Sequence, residues 1–347
     1  MGKVLPQLHV ASRSSSVAAP ETREPQWGDQ HPETDLRETV ASTSVVTVSP
    51  RRALPFALLV ATRPRQWMKN LLVFAAPGAA GLLGRAVVVE KTAAAAGLFL
   101  IASAGTYLVN DAIDASADRL HPDKRHRPVA SGELSGPLAI GIGSSLLVLA
   151  VIGATFLAGL QLASVIGAYV VTSLTYTLWL KRVAVVELAC VSAGFVLRAV
   201  AGGAAVHIPI SPWFGIVTSS AALLVVAGKR SAEIDLLGRA GSLHRHVLDK
   251  YSASFLRSVR LIAAAVAIVS FCLWAFARAT HIDSGRADSD NVLFELSILP
   301  FVLGILSVEL AIDSGEGGAP EELVIHSHVI QALGAVCLAL VAVAIYS

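Results

Sequence analysis

Carboxylates and an amide recur at a regular spacing where one long apolar stretch of the chain ends. The motif is Asn110-Asp111-x-x-Asp114-x-x-x-Asp118. On a helix, Asn110, Asp114 and Asp118 would lie along one face over about 12 Å. Carboxylates beside a membrane span are costly without a cation to neutralise them, and oxygen ligands of this kind suit Mg²⁺ bound to a substrate's phosphates. The motif therefore predicts a Mg²⁺–diphosphate site with Asn110, Asp111, Asp114 and Asp118 as metal ligands.

Basic residues follow the acidic motif directly, at Arg119, Lys124, Arg125 and Arg127. Cations bind the phosphate oxygens that a metal ion leaves uncoordinated. We therefore expect Lys124 and Arg127 to bind substrate. The alternative is an acidic, solvated loop, which the regular spacing and the adjoining cations disfavour.

Two further segments place cations at the ends of apolar stretches. The first segment runs from Arg63 to Asn70, and we predict that Lys69 and Asn70 reach a polar cavity. For Arg63, a functional role and a role as an interfacial anchor agree equally well with the sequence. In the second segment, Tyr176 and Lys181 are predicted to bind substrate. The alternative for Lys181 is that it snorkels at a helix end.

Arg198 lies in the middle of an apolar stretch. A charged side chain at that depth must face a partner or an aqueous cavity. Glu187 is a candidate partner, but it lies eleven residues away, about three helical turns. We therefore place Arg198 in or beside the polar cavity.

A second charged segment closes a later apolar stretch. It reads Gly228-Lys229-Arg230-Ser231-Ala232-Glu233-Ile234-Asp235, and its position mirrors that of the acidic motif. We predict a second half-site, in which Lys229 and Arg230 bind another phosphate and Glu233 contributes to substrate or metal binding. A solvated basic loop is the alternative.

The elements that must position these residues are membrane-spanning helices. Apolar residues make up 54% of the chain and charged residues only 15%, whereas soluble domains have about 25% charged residues. We predict an all-α, polytopic bundle of about nine transmembrane helices over 51–347, after a disordered cytoplasmic tail at 1–50. The predicted spans are 67–84, 92–110, 136–157, 160–180, 184–203, 212–228, 256–277, 293–312 and 328–346, with a tight turn near Gly159.

Lysine and arginine are distributed very unevenly between the two predicted sides of the membrane. One side carries most of them, whereas the other carries only Arg85, Lys91, Arg278 and Arg286. Because basic loops stay in the cytoplasm, we expect a multi-pass protein of the cell membrane with its N-terminus and its site on the cytoplasmic side. The cysteines show no metal-ligand spacing.

These motifs together resemble the UbiA superfamily of intramembrane prenyltransferases. The acidic motif between the second and third spans is similar to that superfamily's first aspartate motif, and the similarity extends over about residues 52–347. The segments 63–70, 118–132 and 228–233, with Arg198, resemble members that act on phosphoribosyl diphosphate. Two departures are visible: the second aspartate-rich motif is replaced by the Lys229 segment, and Tyr-x-x-x-Lys becomes Tyr176 and Lys181, one residue further apart.

The resemblance implies a UbiA-like fold and a Mg²⁺-dependent transfer. A 5-phosphoribosyl group would pass from phosphoribosyl diphosphate to a polyprenyl (decaprenyl) phosphate in the bilayer, releasing diphosphate, for arabinan synthesis in the actinobacterial cell wall. Asp111, Asp114 and Arg198 would be catalytic. Lys69, Arg198 or Lys181 would hold the lipid phosphate.

Other functions remain as alternatives. The first is a UbiA-type aromatic prenyltransferase that uses a polyprenyl diphosphate. A transporter is disfavoured because the polar residues gather at one face rather than at the midplane. No nucleic-acid partner is expected, and the oligomeric state, a homo-oligomer included, is left open.

Overall fold

All regular secondary structure that the computed structural model describes is helical, which confirms the predicted all-α class. The described residues are 53–240, 250–280, 288–314 and 326–346. The predicted tail at 1–50 lies outside them, as do parts of three loops.

The chain forms eleven described α-helices in sequence order. They are α1 (Leu54–Ala61), α2 (Ala75–Ala79), α3 (Ala86–Ile113), α4 (Ala115–Leu120), α5 (Gly136–Leu178), α6 (Val186–Ala205), α7 (Pro212–Ala240), α8 (Ala253–Thr280), α9 (Asp288–Leu296), α10 (Ile298–Asp313) and α11 (His328–Tyr346). Short 3-10 helices occupy Pro64–Phe74, Lys124–His126 and Leu180–Arg182.

The helix α5 is a hairpin of two limbs. Its backbone leaves helical geometry at Ala158 and at Gly159, whose φ is 68°. A Cβ on Gly105 of α3 would lie 2.8 Å from the carbonyl oxygen of Gly143 in the first limb, and the second limb returns along the same helix α3. The predicted tight turn near Gly159 is confirmed. Glycine suits it because a positive φ costs glycine no steric strain.

Seven helical stretches within the described residues are long and apolar enough to cross a membrane, with the two limbs of α5 counted as one. The chain is thus a multi-pass membrane protein. The predicted span at 67–84 is not among them, because the chain there forms the 3-10 helix Pro64–Phe74 followed by α2. Together these two pieces are about 30 Å long, which matches the thickness of a bilayer's hydrocarbon core.

Two prolines explain why the first predicted span, 67–84, is divided into a 3-10 helix and α2. Pro64 begins the 3-10 helix and Pro77 lies within α2, and each removes a backbone donor. The segment packs tightly on α6: a Cβ on Gly202 would collide with the carbonyl oxygen of Val73. This close approach brings Asn70 beside α6.

The core next to the site is built from α3, both limbs of α5 and α6. Its buried side chains are mostly alanine around a few larger residues, including Phe99, Leu162 and Ile166. Small side chains allow membrane helices to approach closely. A separate apolar cluster joins α8, α9 and α11.

Candidate functional site

A cavity of about 250 Å³ opens among α3, the second limb of α5, α6 and the loop after α4. Its lining is rich in charged and hydroxyl side chains. It is lined by Arg63, Lys69, Thr106, Tyr107, Asn110, Asp114, Asp118, Lys124, Arg127, Tyr169, Thr172, Ser173, Tyr176, Thr177, Lys181, Cys190, Val191, Gly194, Phe195 and Arg198.

The acidic motif lies at the break between α3 and α4. Asp114 leaves helical geometry, with φ −88° and ψ 2°, so the motif does not lie on one straight helix as predicted. The backbone N–H of Asp114 still donates to Asn110 O (2.9 Å), and that of Asp118 donates to Asp114 O (2.8 Å). Asn110, Asp114 and Asp118 consequently still share the cavity side.

Asp111 is buried beneath two arginines. Arg63 donates to Asp111 Oδ1, and Arg127 donates both to that oxygen (3.3 Å) and to Asp118 Oδ2 (2.7 Å). Asp111 is only 2% exposed and does not line the cavity. The pair of arginines therefore lies between the buried carboxylate and the cavity.

The loop that carries Arg127 is anchored by its own apolar residues. Val129 and Leu134 are 2% and 1% exposed and pack with Leu108 of α3. Arg119 of α4 donates to the carbonyl oxygen of Ala130 (3.1 Å). These contacts fix the loop against the end of α3.

Asp114 makes a different contact, across the cavity to the end of α5. Lys181 Nζ donates to Asp114 Oδ1 (2.5 Å), and both side chains remain about one-quarter exposed. The neighbouring Asn110 accepts a hydrogen bond from Thr177 Oγ1 (3.0 Å). The end of α3 is thus tied to the end of α5 by one ion pair and one hydrogen bond.

The donor set fits Mg²⁺ with few protein ligands. The side-chain oxygens of Asn110, Asp114 and Asp118 border the cavity, and Mg²⁺ commonly takes one or two carboxylates, completing its shell with water and phosphate. Among the described residues, histidine, cysteine, aspartate and glutamate side chains form no group of three or more that could hold a metal ion, so amide, water and phosphate oxygens would have to complete the shell.

Arg198 forms the deep end of the cavity. Its guanidinium donates to Asn70 Oδ1 (3.0 Å), Gly194 O (2.6 Å) and Tyr169 OH (3.2 Å). It also lies 5.3 Å from the centre of the Phe99 ring. The predicted position of Arg198 in the polar cavity agrees with the structure, and the alternative pairing with Glu187 is not formed.

Most of the predicted site residues meet at this cavity. Those that line it are Lys69, Asn110, Asp114, Asp118, Lys124, Arg127, Tyr176, Lys181 and Arg198. Asp111 and Asn70 lie directly behind it, bonded to residues that line it. Lys229, Arg230 and Glu233 do not line it.

The structure does not bring Arg230 to the cavity, because its guanidinium is paired with carboxylates elsewhere, so the predicted phosphate contact of Arg230 gains no support from the structure. Arg230 is 4% exposed and donates to both carboxylate oxygens of Glu187, at 2.8 and 2.7 Å. A third bond reaches Glu233 (2.7 Å). The pattern of charges resembled a second half-site, but the partner carboxylate comes from α6, eleven residues before Arg198. The side chain of Asp235 lies outside the described residues.

Tyr251 completes this buried network. Its hydroxyl accepts a hydrogen bond from the backbone N–H of Val185 (2.7 Å) and lies 3.4 Å from Glu187 Oε1. Burial raises the pKa of Tyr251, so the hydroxyl stays protonated and can donate to that carboxylate. The bond also holds Val185, whose φ is 67°, in a backbone conformation that β-branched residues rarely adopt.

Of the hydroxyl side of the cavity, sequence reasoning identified Tyr176 and missed the rest. Tyr169, Thr172, Ser173 and Thr177 lie on the same face of the second limb of α5 as Tyr176, and all line the cavity. Hydroxyls at this helical spacing within an apolar span were the available signal. It was overlooked because single serine and threonine residues are common in membrane helices.

Comparison with known proteins agrees with this architecture. Residues 71–229 match the UbiA prenyltransferase family. The decaprenyl-phosphate phosphoribosyltransferase of Corynebacterium glutamicum is 39% identical over 303 residues, covering 86% of this chain and 89% of that protein. That of Mycobacterium tuberculosis strain H37Rv is 38% identical over 310 residues, covering 88% and 99%.

Solved structures show the same fold at low sequence identity. A UbiA homolog from Archaeoglobus fulgidus bound to GPP and Mg²⁺ superposes with a TM-score of 0.63 at 15% identity, covering 84% of this chain and 99% of that one. A digeranylgeranylglyceryl phosphate synthase gives a TM-score of 0.58 at 13% identity, covering 84% and 98%. With its fold and its relatives in agreement, the chain belongs to the UbiA prenyltransferase family.

Proposed function

We propose that this protein transfers a 5-phosphoribosyl group from phosphoribosyl diphosphate to a polyprenyl phosphate, of which decaprenyl phosphate is the example named in its relatives. Diphosphate is the second product. The proposal is supported by relatives named decaprenyl-phosphate phosphoribosyltransferase that are 38–39% identical over most of the chain. The lipid product would serve as a precursor for cell-wall arabinan.

The observation that carries the proposal is the excess of cations in the cavity. The cationic residues that line it are Arg63, Lys69, Lys124, Arg127, Lys181 and Arg198, whereas among the carboxylates of the described residues only Asp114 and Asp118 line it. A transfer in which both the donor and the acceptor carry phosphate needs such an excess, because it brings two anions together. Aromatic prenylation needs fewer cations, since only its donor is phosphorylated.

The ends of α3 and α5 are proposed to hold the donor's diphosphate. Asp114 and Asp118, with Asn110, would bind Mg²⁺ between them. When bound, the ion would neutralise charge on the leaving diphosphate. Lys181 and Arg127 border the same place and would contact the remaining diphosphate oxygens.

Asp111 is proposed to act from behind this site. It binds Arg63 and Arg127 in the structure and therefore orients both guanidinium groups toward the cavity. A direct bond from Asp111 to Mg²⁺ stays a prediction and would require it to exchange these partners.

The chemistry requires positive charges rather than a base. The bond from ribose C1 to the diphosphate oxygen breaks while a lipid phosphate oxygen bonds to C1. Positive charge on C1 spreads to the ring oxygen, giving an oxocarbenium-like transition state as in glycoside hydrolysis. The lipid phosphate is already an anion, so the nucleophile loses no proton. Cationic side chains would offset the repulsion between the two phosphorylated substrates.

The cavity is proposed to open toward the cytoplasm. The loop that carries Lys124, Arg125 and Arg127 lies beside it, and basic loops are retained on the cytoplasmic side. A water-soluble donor made in the cytoplasm could then enter directly.

A transfer assay in detergent tests the proposal. Purified protein would be given phosphoribosyl diphosphate labelled on its ribose, a polyprenyl phosphate, and either Mg²⁺ or a chelator. We expect a labelled lipid only with Mg²⁺. A protein that instead consumed a polyprenyl diphosphate with an aromatic acceptor, and formed no labelled lipid from the ribosyl donor, would be an aromatic prenyltransferase.

A further inference from the structure

We infer that Arg198 and Asn70 form a deep subsite for the phosphate on C5 of the donor, some distance below the site of its diphosphate. The inference rests on the proposed function and refines it, because it states which end of the donor lies at which end of the cavity.

The first observation is that Arg198 is a buried charge without a counter-charge. It is 5% exposed, yet it forms no ion pair with any described carboxylate: its partners are an amide, a carbonyl and a phenol. Arg63, Arg127 and Lys181, which line the same cavity, are all bound to aspartates. A buried, unpaired charge is costly, so an anionic ligand at Arg198 would remove a penalty that the protein otherwise carries.

The second observation is that hydrogen-bond donors remain at the same place. The guanidinium of Arg198 has more N–H groups than its three bonds use, and the residue lines the cavity. Asn70 is 4% exposed, and its Nδ2 has no partner. The amide cannot be flipped to correct this, because Oδ1 must face the Nε–H of Arg198.

The hydroxyls at this end are oriented by the same chain of bonds. Thr106 Oγ1 donates to the carbonyl oxygen of Ser103 (2.8 Å), so it can accept from Tyr169 OH at 3.4 Å. Tyr169 in turn accepts from Arg198. Thr106 and Tyr169 both line the cavity, and together with Arg198 they make its deep end rich in polar groups. A ligand with several acceptor oxygens is the one that matches it.

The distance between the two ends favours the donor over two separate anions. Thr106 on α3 contacts Tyr169, and Tyr169 contacts Arg198, so Thr106 and Arg198 lie at a similar depth. Asp114 lies eight residues after Thr106 in the chain. Eight residues of helix correspond to about 12 Å. A pentose with a diphosphate on C1 and a phosphate on C5 carries anionic groups at both ends and can bridge such an interval.

Depth argues against the lipid phosphate as the ligand of Arg198. α6 is long enough to cross a bilayer core of roughly 30 Å. It begins at Val186, and Arg198 lies twelve residues further along it, which corresponds to about 18 Å of helix. A lipid phosphate resides at the interface and would have to move by that distance. A soluble donor that enters between α3 and α5 reaches Arg198 through the cavity itself.

Kinetics with two donors test the assignment. The unsubstituted protein and Arg198→Gln would be compared with phosphoribosyl diphosphate and with ribose 1-diphosphate, which lacks the phosphate on C5. We expect Arg198→Gln to raise KM for phosphoribosyl diphosphate roughly 30-fold or more, the usual effect of removing one partner of a buried charge pair. The two proteins should use ribose 1-diphosphate with similar efficiency, and KM for the polyprenyl phosphate should change little.

A second variant separates binding from structure. Asn70→Asp would give Arg198 the carboxylate that it lacks. We expect this variant to keep or raise the thermal stability of the protein, because the new carboxylate neutralises Arg198. For the same reason, its KM for phosphoribosyl diphosphate should rise by a factor similar to that of Arg198→Gln. A merely structural role for Arg198 would leave the KM for the donor unchanged in Asn70→Asp.

Arg278→Gln is the matched control. Arg278 is a partly buried arginine in the last turn of α8, bonded to the carbonyl oxygen of Ala79 away from the cavity, and its loss should leave both KM values unchanged. The subsite assignment would be wrong if Arg198→Gln raised KM for the polyprenyl phosphate instead. It would also be wrong if the variant raised KM for phosphoribosyl diphosphate and for ribose 1-diphosphate by the same factor. If the unsubstituted protein transferred nothing from phosphoribosyl diphosphate, the proposed function would fall and this assignment with it.

Discussion

At the scale of single residues, the carboxylates of the site are bound in ion pairs, and these pairs must rearrange when the substrates bind. Asp114 is bound by Lys181, and Asp118 by Arg127. Both carboxylates line the cavity. Mg²⁺ bound to these oxygens would displace Lys181 and Arg127 from the two aspartates. Both cations would then be available to bind the phosphates of the donor.

Removing Asp114 should therefore abolish transfer without unfolding the protein. We expect Asp114→Ala to lose at least a hundredfold in kcat/KM, because it removes a proposed metal ligand and the carboxylate to which Lys181 is bound. The pair is partly exposed, so its contribution to stability is small. Activity would be measured over a Mg²⁺ titration, with thermal unfolding in detergent as the control for folding.

Asp111 is expected to respond differently, because it is buried behind its arginines. If it acts by orienting Arg63 and Arg127, Asp111→Asn should lower kcat while the Mg²⁺ concentration for half-maximal activity stays within about threefold of the original value. A shift of that midpoint by tenfold or more would show that Asp111 binds the metal directly. The Mg²⁺ titration that serves Asp114→Ala separates the two roles.

How far sequence alone predicts the site depends on what each residue needs from its neighbours. Asp114 and Arg198 could be recognised because a charge in an apolar span requires an explanation by itself. Arg230 could not be assigned, because its partner Glu187 lies on another helix. The hydroxyls of Thr172 and Ser173 carry no charge, and only the fold brings them to the cavity.

At the scale of elements, close packing of α6 on the 3-10 helix Pro64–Phe74 sets the deep end of the cavity. The contact at Gly202 and Val73 fixes the height at which Asn70 meets Arg198. Sequence predicted a regular span here, but hydrophobicity does not report how prolines divide a segment into two short helices. The hairpin of α5 was predictable because its turn is signalled locally, by Gly159 between two long apolar stretches.

Adding a methyl group at this packing contact should impair the site. We expect Gly202→Ala to lower activity at least tenfold, because its Cβ would collide with the backbone carbonyl of Val73 rather than with a flexible side chain. Gly167→Ala on α5 is the matched control: no atom lies within 4 Å of its added Cβ, and alanine favours helix by up to about 1 kcal/mol. Equal activity in the two variants would contradict a role for this contact.

The network around Glu187 is expected to contribute stability rather than catalysis. It joins α6 to α7 through Arg230, and to the loop before α8 through Tyr251. Glu187→Gln removes the negative charge that neutralises the buried guanidinium of Arg230. This loss should lower the free energy of unfolding by about 3 kcal/mol. Arg257→Gln, which breaks an exposed pair with Asp313, should cost less than about 1 kcal/mol. Unfolding in detergent would be compared for the two variants.

At the scale of the whole molecule, polar and charged groups are separated along the membrane normal. Apart from Arg198, the cations of the cavity and of the loop after α4 gather at one end, whereas few basic residues are predicted on the other side. Composition and hydrophobic runs predicted this separation well, because both follow from the cost of placing polar groups in lipid. The same runs gave about nine crossings, which agrees with seven long helical stretches once α5 counts twice and the broken first segment is included.

This separation makes the orientation of the protein testable. Ser131, in the loop after α4, and His207, beyond the end of α6, are both exposed and lie at opposite ends of the bundle. In a background with Cys190, Cys272 and Cys337 replaced, a membrane-impermeant thiol reagent applied from outside intact cells should label His207→Cys but not Ser131→Cys. After the cells are opened, both should react.

The reverse labelling pattern would place the cavity on the outside. A soluble phosphorylated donor made in the cytoplasm could then reach the ends of α3 and α5 only by crossing the membrane. The labelling experiment thus tests more than topology. The cation-rich end of the bundle can serve the proposed reaction only if it faces the compartment that supplies the donor, and the basic loop beside it predicts that it does.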